Sequence, residues 1–368
     1  MLEKEKVKYS YNDIAVKPAK ISNIEHRSEC YPYDGVNYLP IFTAPMSSVI
    51  GEDNWKTFED NKIHSIIPRS VDIYKRLDFL KNTRNIFIAF SLSEAEYYFI
   101  DEKNRLYLDT TTDKKYRILI DIANGHMKKL YDTAQKIKDI YGDNISIMAG
   151  NIANPETYQY IIENYPGVID YIRLGVGSGQ GCITSTNTSI HFPMASLIDE
   201  CYEIKGNSLR TEKPKIVADG GIRNYNDVIK AIALGADYVM IGGLFSSCIE
   251  SSAKTYILDN MNHYREATTD EIDRFSKKDP ILYDCVYKKF YGMASKEGQI
   301  DLNGAKTHTS EGIAKYIKVK FRLSQWSENM ADYMRSAMSY TNSKTLPEFR
   351  YRSKCIIISS NTYNSINK

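Results

Sequence analysis

The sequence lacks a long hydrophobic stretch: no run of about 18 apolar residues occurs, so no membrane span is expected. It also lacks a charge of one sign. Its 48 basic and 46 acidic side chains leave a net +2, which excludes a strongly basic nucleic-acid binder but leaves a local anion site open. Cysteine is sparse. Cys30, Cys182, Cys201, Cys248, Cys285 and Cys355 lie far apart, with no CxxC and no CxxH, so neither a zinc site nor a disulfide framework is expected. Most of these thiols should be reduced and buried. The N-terminal stretch MLEKEKVKYSYND is charged and has no apolar centre, so no secretory leader is expected and a cytoplasmic location is. Tandem repeats and low-complexity blocks are absent, apart from a general Lys/Asn/Ile/Tyr bias.

What is present suits a soluble globular chain: 368 residues, 42% apolar and 26% charged. That length fits two average domains or one barrel-sized domain with additions. Short, mostly β-branched runs recur at 39–44 (LPIFTA), 63–67 (IHSII), 85–89 (NIFIA), 117–122 (RILIDI), 145–149 (ISIMA), 169–174 (IDYIRL), 215–218 (KIVA) and 237–241 (DYVMI). They are continuous rather than alternating, as in parallel strands covered on both faces. Between them Leu130, Ala134, Ile137 and Ile140 keep helical spacing, as do Val228, Ile232 and the adjoining Ala233. Eight such strands with helices between them predict an α/β fold of the (β/α)8 TIM-barrel type. The predicted layout is an extension packed on the barrel (1–38), the barrel itself (39–358) and a flexible tail (359–368). Within the barrel, an active-site loop (175–192) follows the sixth strand, and a polar flap (294–312) follows the eighth. The polar stretch 296–310 reads as a mobile lid, and an amphipathic segment at 326–340 should pack back on the barrel.

Active sites of such barrels are built at the C-terminal ends of the strands. Gly220 and Gly221 follow the seventh strand there, and Gly242 and Gly243 the eighth. Glycine pairs let backbone N–H groups approach a phosphate closely. Asp219 is placed to accept hydrogen bonds from ribose hydroxyls, or else to cap a helix. The loop after the sixth strand, GVGSGQGCIT, ends in a cysteine. Four glycines in seven residues can turn carbonyls toward a cation, and Cys182 would stand beside substrate as a nucleophile or, alternatively, simply pack.

These residues resemble the IMP dehydrogenase/GMP reductase family over about 11–340. The matching pieces are YNDIAVKP (11–18), APMSSV (44–49), DIANGH (121–126), MAGN (148–151), GVGSGQGCIT (175–184), ADGGI (218–222), MIGG (240–243), FYGMAS (290–295) and SEG (310–312). The resemblance implies attack of the Cys182 thiolate on C2 of a purine nucleoside monophosphate, with a nicotinamide cofactor exchanging a hydride at that carbon. It implies Thr184 and Glu311 as proton carriers. Asp219, Gly220, Gly221, Gly242 and Gly243 would hold ribose and phosphate, and Met46, Gly292, Met293, Ala294, Ser310 and Gly312 would touch the nucleotide. The carbonyls of Gly177, Gly179 and Cys182 would hold a monovalent cation, potassium. The cofactor would lie near Asp121, Ile122, Ala123, Val176, Gly177 and Met293, with Ser336, Ala337, Met338 and Ser339 of a neighbouring subunit at its far end. A homotetramer is implied. His26, Arg27 and Arg69 would place cations beside an adenosine 2′-phosphate, which suits NADPH; surface solvation is the other reading.

Within the family, the dehydrogenases activate water with an Arg-Tyr pair in a long flap, whereas 296–310 holds no arginine and no tyrosine. Positions 68–84 also leave no room for the CBS modules that most dehydrogenases insert after the second strand. The resemblance therefore implies the reductase branch: reductive deamination of GMP to IMP and ammonia by NADPH through a cysteine thioimidate. An IMP dehydrogenase-like oxidation with NAD and a catalytically impaired regulatory homologue are the alternatives. The chain departs from the family where Cys182-Ile-Thr-Ser185 replaces Cys-Thr-Thr-Arg, which bears on the cation site. Gln180-Gly181 replaces a serine and its neighbour, and Ser47-Ser48 replaces Asp-Thr. The polar segment 91–116 has no counterpart in this reading, and a deoxyribonucleotide remains an option.

Overall fold

Eight parallel strands follow one another in chain order: Ile41–Thr43, Ile66–Ile67, Phe87–Phe90, Tyr116–Asp121, Ile145–Ile152, Tyr171–Leu174, Lys215–Asp219 and Tyr238–Ile241. The eighth pairs back on the first through Ile41–Val239, Phe42–Met240 and Thr43–Ile241. A bridge between Phe42 and His64 closes the remaining seam, where the Thr43 N–H meets the His64 carbonyl at 2.9 Å. The architecture is the (β/α)8 barrel anticipated from the run pattern. The structure is a computed structural model, and it describes residues 7–179, 181–277, 284–305 and 309–366.

Phe42, Ile66, Phe87, Ala89, Leu119, Met148, Tyr171, Val217, Tyr238 and Met240 fill the barrel's interior. A larger apolar layer lies between the strands and the surrounding helices. Each Ile or Phe so buried contributes about 1.5–3 kcal/mol. This two-sided burial explains why the strands read as continuous apolar runs. The helices are Trp55–Asp60, Ile73–Asn82, Leu92–Phe99, Lys128–Tyr141, Pro155–Asn164, Met194–Asn207, Tyr225–Ala233 and, for the eighth unit, Leu323–Tyr340. In Lys128–Tyr141 the residues Leu130, Tyr131, Ala134, Ile137 and Tyr141 face the barrel. Ile140, expected on that face, is instead 37% exposed, because Tyr141 stands one full turn from Ile137 and takes the inward position. Among the described residues no helix is long and apolar enough to cross a membrane.

Three segments hold elements that the sequence pattern does not announce. The polar stretch 91–116 contains the third barrel helix, Leu92–Phe99. Ser91 accepts from the Glu94 N–H and Glu94 reaches back to the Ser91 N–H, so a capping box starts a helix too short for its periodicity to stand out. Part of the polar stretch 296–310 is helix Lys296–Asn303, capped by Ser295. Where a flexible tail is expected, Ser360–Ile366 is helical, following a strand pair of Ile14–Lys17 with Lys354–Ile357.

The connection from the eighth strand to its helix holds a four-stranded antiparallel sheet, ordered Tyr264–Glu266, Thr255–Leu258, Val286–Tyr291 and Ala314–Lys318. The sequence reading missed it. Val286–Tyr291 (VYKKFY) buries alternate residues only, so it shows no continuous apolar run.

Candidate active site

The mouth of the barrel collects polar side chains from the ends of strands four to seven. Arg173, inside the sixth strand, places Nη1 2.6 Å from Asp121 Oδ1 and Nη2 2.8 Å from Asp219 Oδ2. Asn151 adds its amide to Asp219 Oδ2 at 2.6 Å and to the Gly175 carbonyl at 2.9 Å. Burial pulls against the Arg173 charge, but the carboxylates of Asp219 and Asp121 outweigh it and raise its pKa above the ordinary value. One oxygen of Asp219 is thus held by three donors. The cap of the following helix is Asn224, whose side chain accepts from the Asp227 N–H, so Asp219 is not the helix cap.

Neither Arg173 nor Asn151 was singled out from sequence. The available signal was a charge inside an otherwise apolar run, IDYIRL. A buried arginine is rare unless paired, so it asks for partners at the same end of the barrel.

Gly220 and Gly221 both adopt positive φ, +112° and +76°. A side chain at Gly220 would collide with Ser178, so glycine there lets the sixth and seventh loops touch. Gly242 lies against Met46, whose sulfur would meet an added Cβ at 3.0 Å. The matching pair after the eighth strand leads into a short 3-10 turn, Phe245–Ser247, and not into an α-helix, so helix-dipole support is confined to the seventh loop.

Cys182 is partly buried at the end of the sixth loop. Its Sγ donates to Thr184 Oγ1 at 3.1 Å, and Thr184 Oγ1 donates to Glu311 Oε2 at 2.8 Å. A thiol, a hydroxyl and a carboxylate are therefore linked in line. Backbone bonds hold the two segments in register: the Ile183 N–H on the Glu311 carbonyl at 2.8 Å and the Ile313 N–H on the Gly181 carbonyl at 3.1 Å. The Glu311 N–H in turn meets the Ala294 carbonyl at 3.0 Å, so residues 292–294 sit beside the thiol loop. Glycine is required at 292 because an added Cβ would stand 2.5 Å from the Gly181 carbonyl oxygen. Among the other described cysteines, burial raises the thiols of Cys201 and Cys248 far above their ordinary value, and that of Cys355 to about 11.

Several expected contacts are dispersed. Arg69 donates to the Asp121 carbonyl at 3.3 Å, and so stands with the residues assigned to the nicotinamide end. Its Nε is buried with no hydrogen-bond partner among the described residues. Such an orphaned donor beside Asp121, Ile122 and Ala123 fits a polar group of a bound cofactor. Arg27 faces Asp332 at 3.5 Å, on the helix that also carries Ser336–Ser339, so His26 and Arg27 belong to that surface. Met338 is fully buried in the core and its side chain cannot reach a cofactor. Should Glu311 not carry the proton, the polar stretch 296–310 offers Glu297 and His308 as other donors; Glu297 lies 3.5 Å from Lys289. His308 lies outside the described residues.

The carbonyls expected to hold potassium do not fit that ion well. Gly177 accepts from Ser185 Oγ at 2.9 Å and Gly179 accepts from the Cys182 N–H at 3.0 Å.

The family model described as "IMP dehydrogenase / GMP reductase domain" matches residues 101–366. Curated relatives named GMP reductase cover most of the chain. That of Mesoplasma florum is 28% identical over 361 residues, 96% of this chain and 99% of the relative. That of Bacillus licheniformis is 30% identical over 350 residues, 93% and 94% of the two chains. That of Staphylococcus aureus is 29% identical over 355 residues, again 93% and 94%.

Proposed function

The chain belongs to the IMP dehydrogenase/GMP reductase family, and within it we propose that it acts as a GMP reductase, converting GMP and NADPH to IMP, ammonia and NADP. The observation that carries the cysteine chemistry, which both branches of the family share, is the line from Cys182 Sγ through Thr184 Oγ1 to Glu311 Oε2. It gives the thiol proton a route to a carboxylate, which leaves a thiolate free to attack C2 of the purine. The same carboxyl can return that proton to the C2 amine through Thr184, so that ammonia leaves as the C2–N bond breaks and a thioimidate on Cys182 remains. A bound nicotinamide cofactor would supply the hydride to C2. As the C–S bond then breaks, Cys182 leaves as a thiolate, which takes one proton from solvent to restore the thiol, and IMP is formed. Cysteine suits both steps because a thiolate attacks well and also departs well.

Asp219, fixed by Arg173 and Asn151, would present its remaining oxygen to the ribose, and the Gly220-Gly221 and Gly242-Gly243 turns would receive the phosphate. Arg69, Asp121, Ile122 and Ala123 would hold the nicotinamide end of the cofactor. The stretch 296–310, without arginine or tyrosine, supports the reductase direction, since it offers no Arg-Tyr pair to activate water. A homotetramer in the cytoplasm completes the reading.

Nicotinamide absorbance followed with GMP plus NADPH, and separately with IMP plus NAD, tests the proposal. Oxidation of NADPH dependent on GMP is expected, and Cys182→Ala should abolish it while GMP binding stays within about a few-fold. Turnover only with IMP and NAD, or wild-type turnover by Cys182→Ala, would overturn it.

A further inference from the structure

We propose that Ser185 closes the Cys182 loop in the place of a monovalent cation, so that the chain's own hydroxyl, rather than a bound ion, holds the reacting thiol in register. Gly177 turns at φ +71°, and Ser185 Oγ donates to its carbonyl at 2.9 Å. Two residues on, the Gly179 carbonyl is taken by the Cys182 N–H at 3.0 Å. A cation needs several carbonyl oxygens converging on one point with their lone pairs available. Here the positive ends of two protein donors already face two of those oxygens. The space beside Gly177 is also filled, since a Cβ built on it would stand 2.6 Å from Ser185 Cβ and 2.9 Å from Ser185 N.

The serine is itself anchored. It lies in the short helix Thr184–Thr188, where its carbonyl accepts from the Ser189 N–H at 3.0 Å. The residue before it in that helix is Thr184, which carries the bond to Glu311. The hydroxyl of Ser185 therefore ties the start of the loop to the turn that orients both Thr184 and Cys182. The arginine that the family places at this position has no hydroxyl to offer the Gly177 carbonyl. Ser185 is thus a positioning residue, and its presence removes the loop's need for an ion.

The inference rests on Cys182 being the reacting thiol, and the test separates the two ideas. The full-length protein, Ser185→Ala and Ser185→Thr are compared in potassium chloride and in choline chloride at equal ionic strength. Iodoacetamide labelling of the peptide holding Cys182 gives one readout, and turnover of GMP with NADPH the other. The wild-type labelling rate and turnover should agree between the two salts to within about twofold. Ser185→Ala frees the Gly177 carbonyl, so its turnover should fall by about fivefold or more in choline and recover in potassium. Its labelling rate should become salt-dependent as well, and Ser185→Thr, which keeps the hydroxyl, should restore indifference to the ion. A wild-type enzyme that loses about fivefold of its turnover or changes labelling rate to that degree without potassium overturns the proposal. So does a Ser185→Ala variant that remains indifferent to the salt. If labelling follows the expected pattern while GMP is not turned over, the loop closure stands and the substrate assignment fails.

Discussion

At the residue scale, the arrangement of Cys182, Thr184 and Glu311 makes separable predictions. Glu311→Gln keeps size and shape but removes the proton carrier, and positioned acid catalysis is worth roughly 10²- to 10⁴-fold. Deamination of GMP should therefore fall by roughly a hundredfold or more. Hydride transfer between IMP and NADP moves no proton to an amine and calls on Glu311 only to receive the Cys182 proton, so it should fall by less than deamination; rapid-mixing absorbance measures it directly. Equal loss of both steps would place the role of Glu311 at the thiol or in holding the nucleotide, and not at the departing amine. Arg173 carries a second prediction. It is the cation between Asp121 and Asp219, and removing one partner from a buried ion network costs about 3–5 kcal/mol. Arg173→Met should lower the free energy of unfolding in urea by about that amount, and adding Asp219→Asn should return part of it. Unchanged stability in Arg173→Met would show that the carboxylates do not depend on it. Asp219 was legible in the sequence as a ribose reader or a cap. Its partners, and Asn224 at the start of the following helix, exclude the cap, and those partners come from strands five and six.

At the scale of elements, the inserted sheet is fastened to the barrel by charged and polar contacts as well as by packing. Asp301, on helix Lys296–Asn303, accepts from Ser47 Oγ at 2.7 Å and from the Tyr291 hydroxyl at 2.6 Å. Where the resemblance leads one to expect an aspartate after Met46, the carboxylate of this contact comes from the opposite side. Lys288, in strand Val286–Tyr291, is buried and donates to the carbonyls of Ser251 and Ala253 at 3.0 and 3.1 Å. Burial lowers its pKa to about 8, against the smaller opposing pull of Cys248 and Glu250. Between that value and the ordinary lysine range the unfolded chain binds the proton and the folded chain does not, so stability from this group rises with pH. Lys288→Met has no such titration. Denaturant unfolding of both proteins should show wild type gaining on the variant by on the order of 2 kcal/mol from about pH 7 to about pH 9.5. A constant difference across that range would mean that Lys288 stays charged in its pocket.

At the scale of the whole molecule, the sequence by itself determined the barrel. Burial on both faces forces each strand into a continuous apolar run, and that signal is local, so eight runs could be counted before any contact was known. It also marked the glycine-rich loop around Cys182, because positive φ combined with close backbone approach favours glycine. The inserted sheet was not legible, since strands buried on one face alternate and carry lysines such as Lys288 inward. The capped helix Leu92–Phe99 was too short to show a period. What only the tertiary structure decided is which polar groups meet. Thr184 and Glu311 lie 127 residues apart, and Arg173 lies 52 and 46 residues from its two carboxylates. Hydropathy patterns report how deeply a residue is buried, but not which residue stands opposite it. Barrel closure and strand register fix those partners, and so it is closure that turns Arg173 from an oddity in an apolar strand into the centre of the site. By the same reasoning, Ser185 becomes the clasp of the Cys182 loop only when the chain folds back on Gly177.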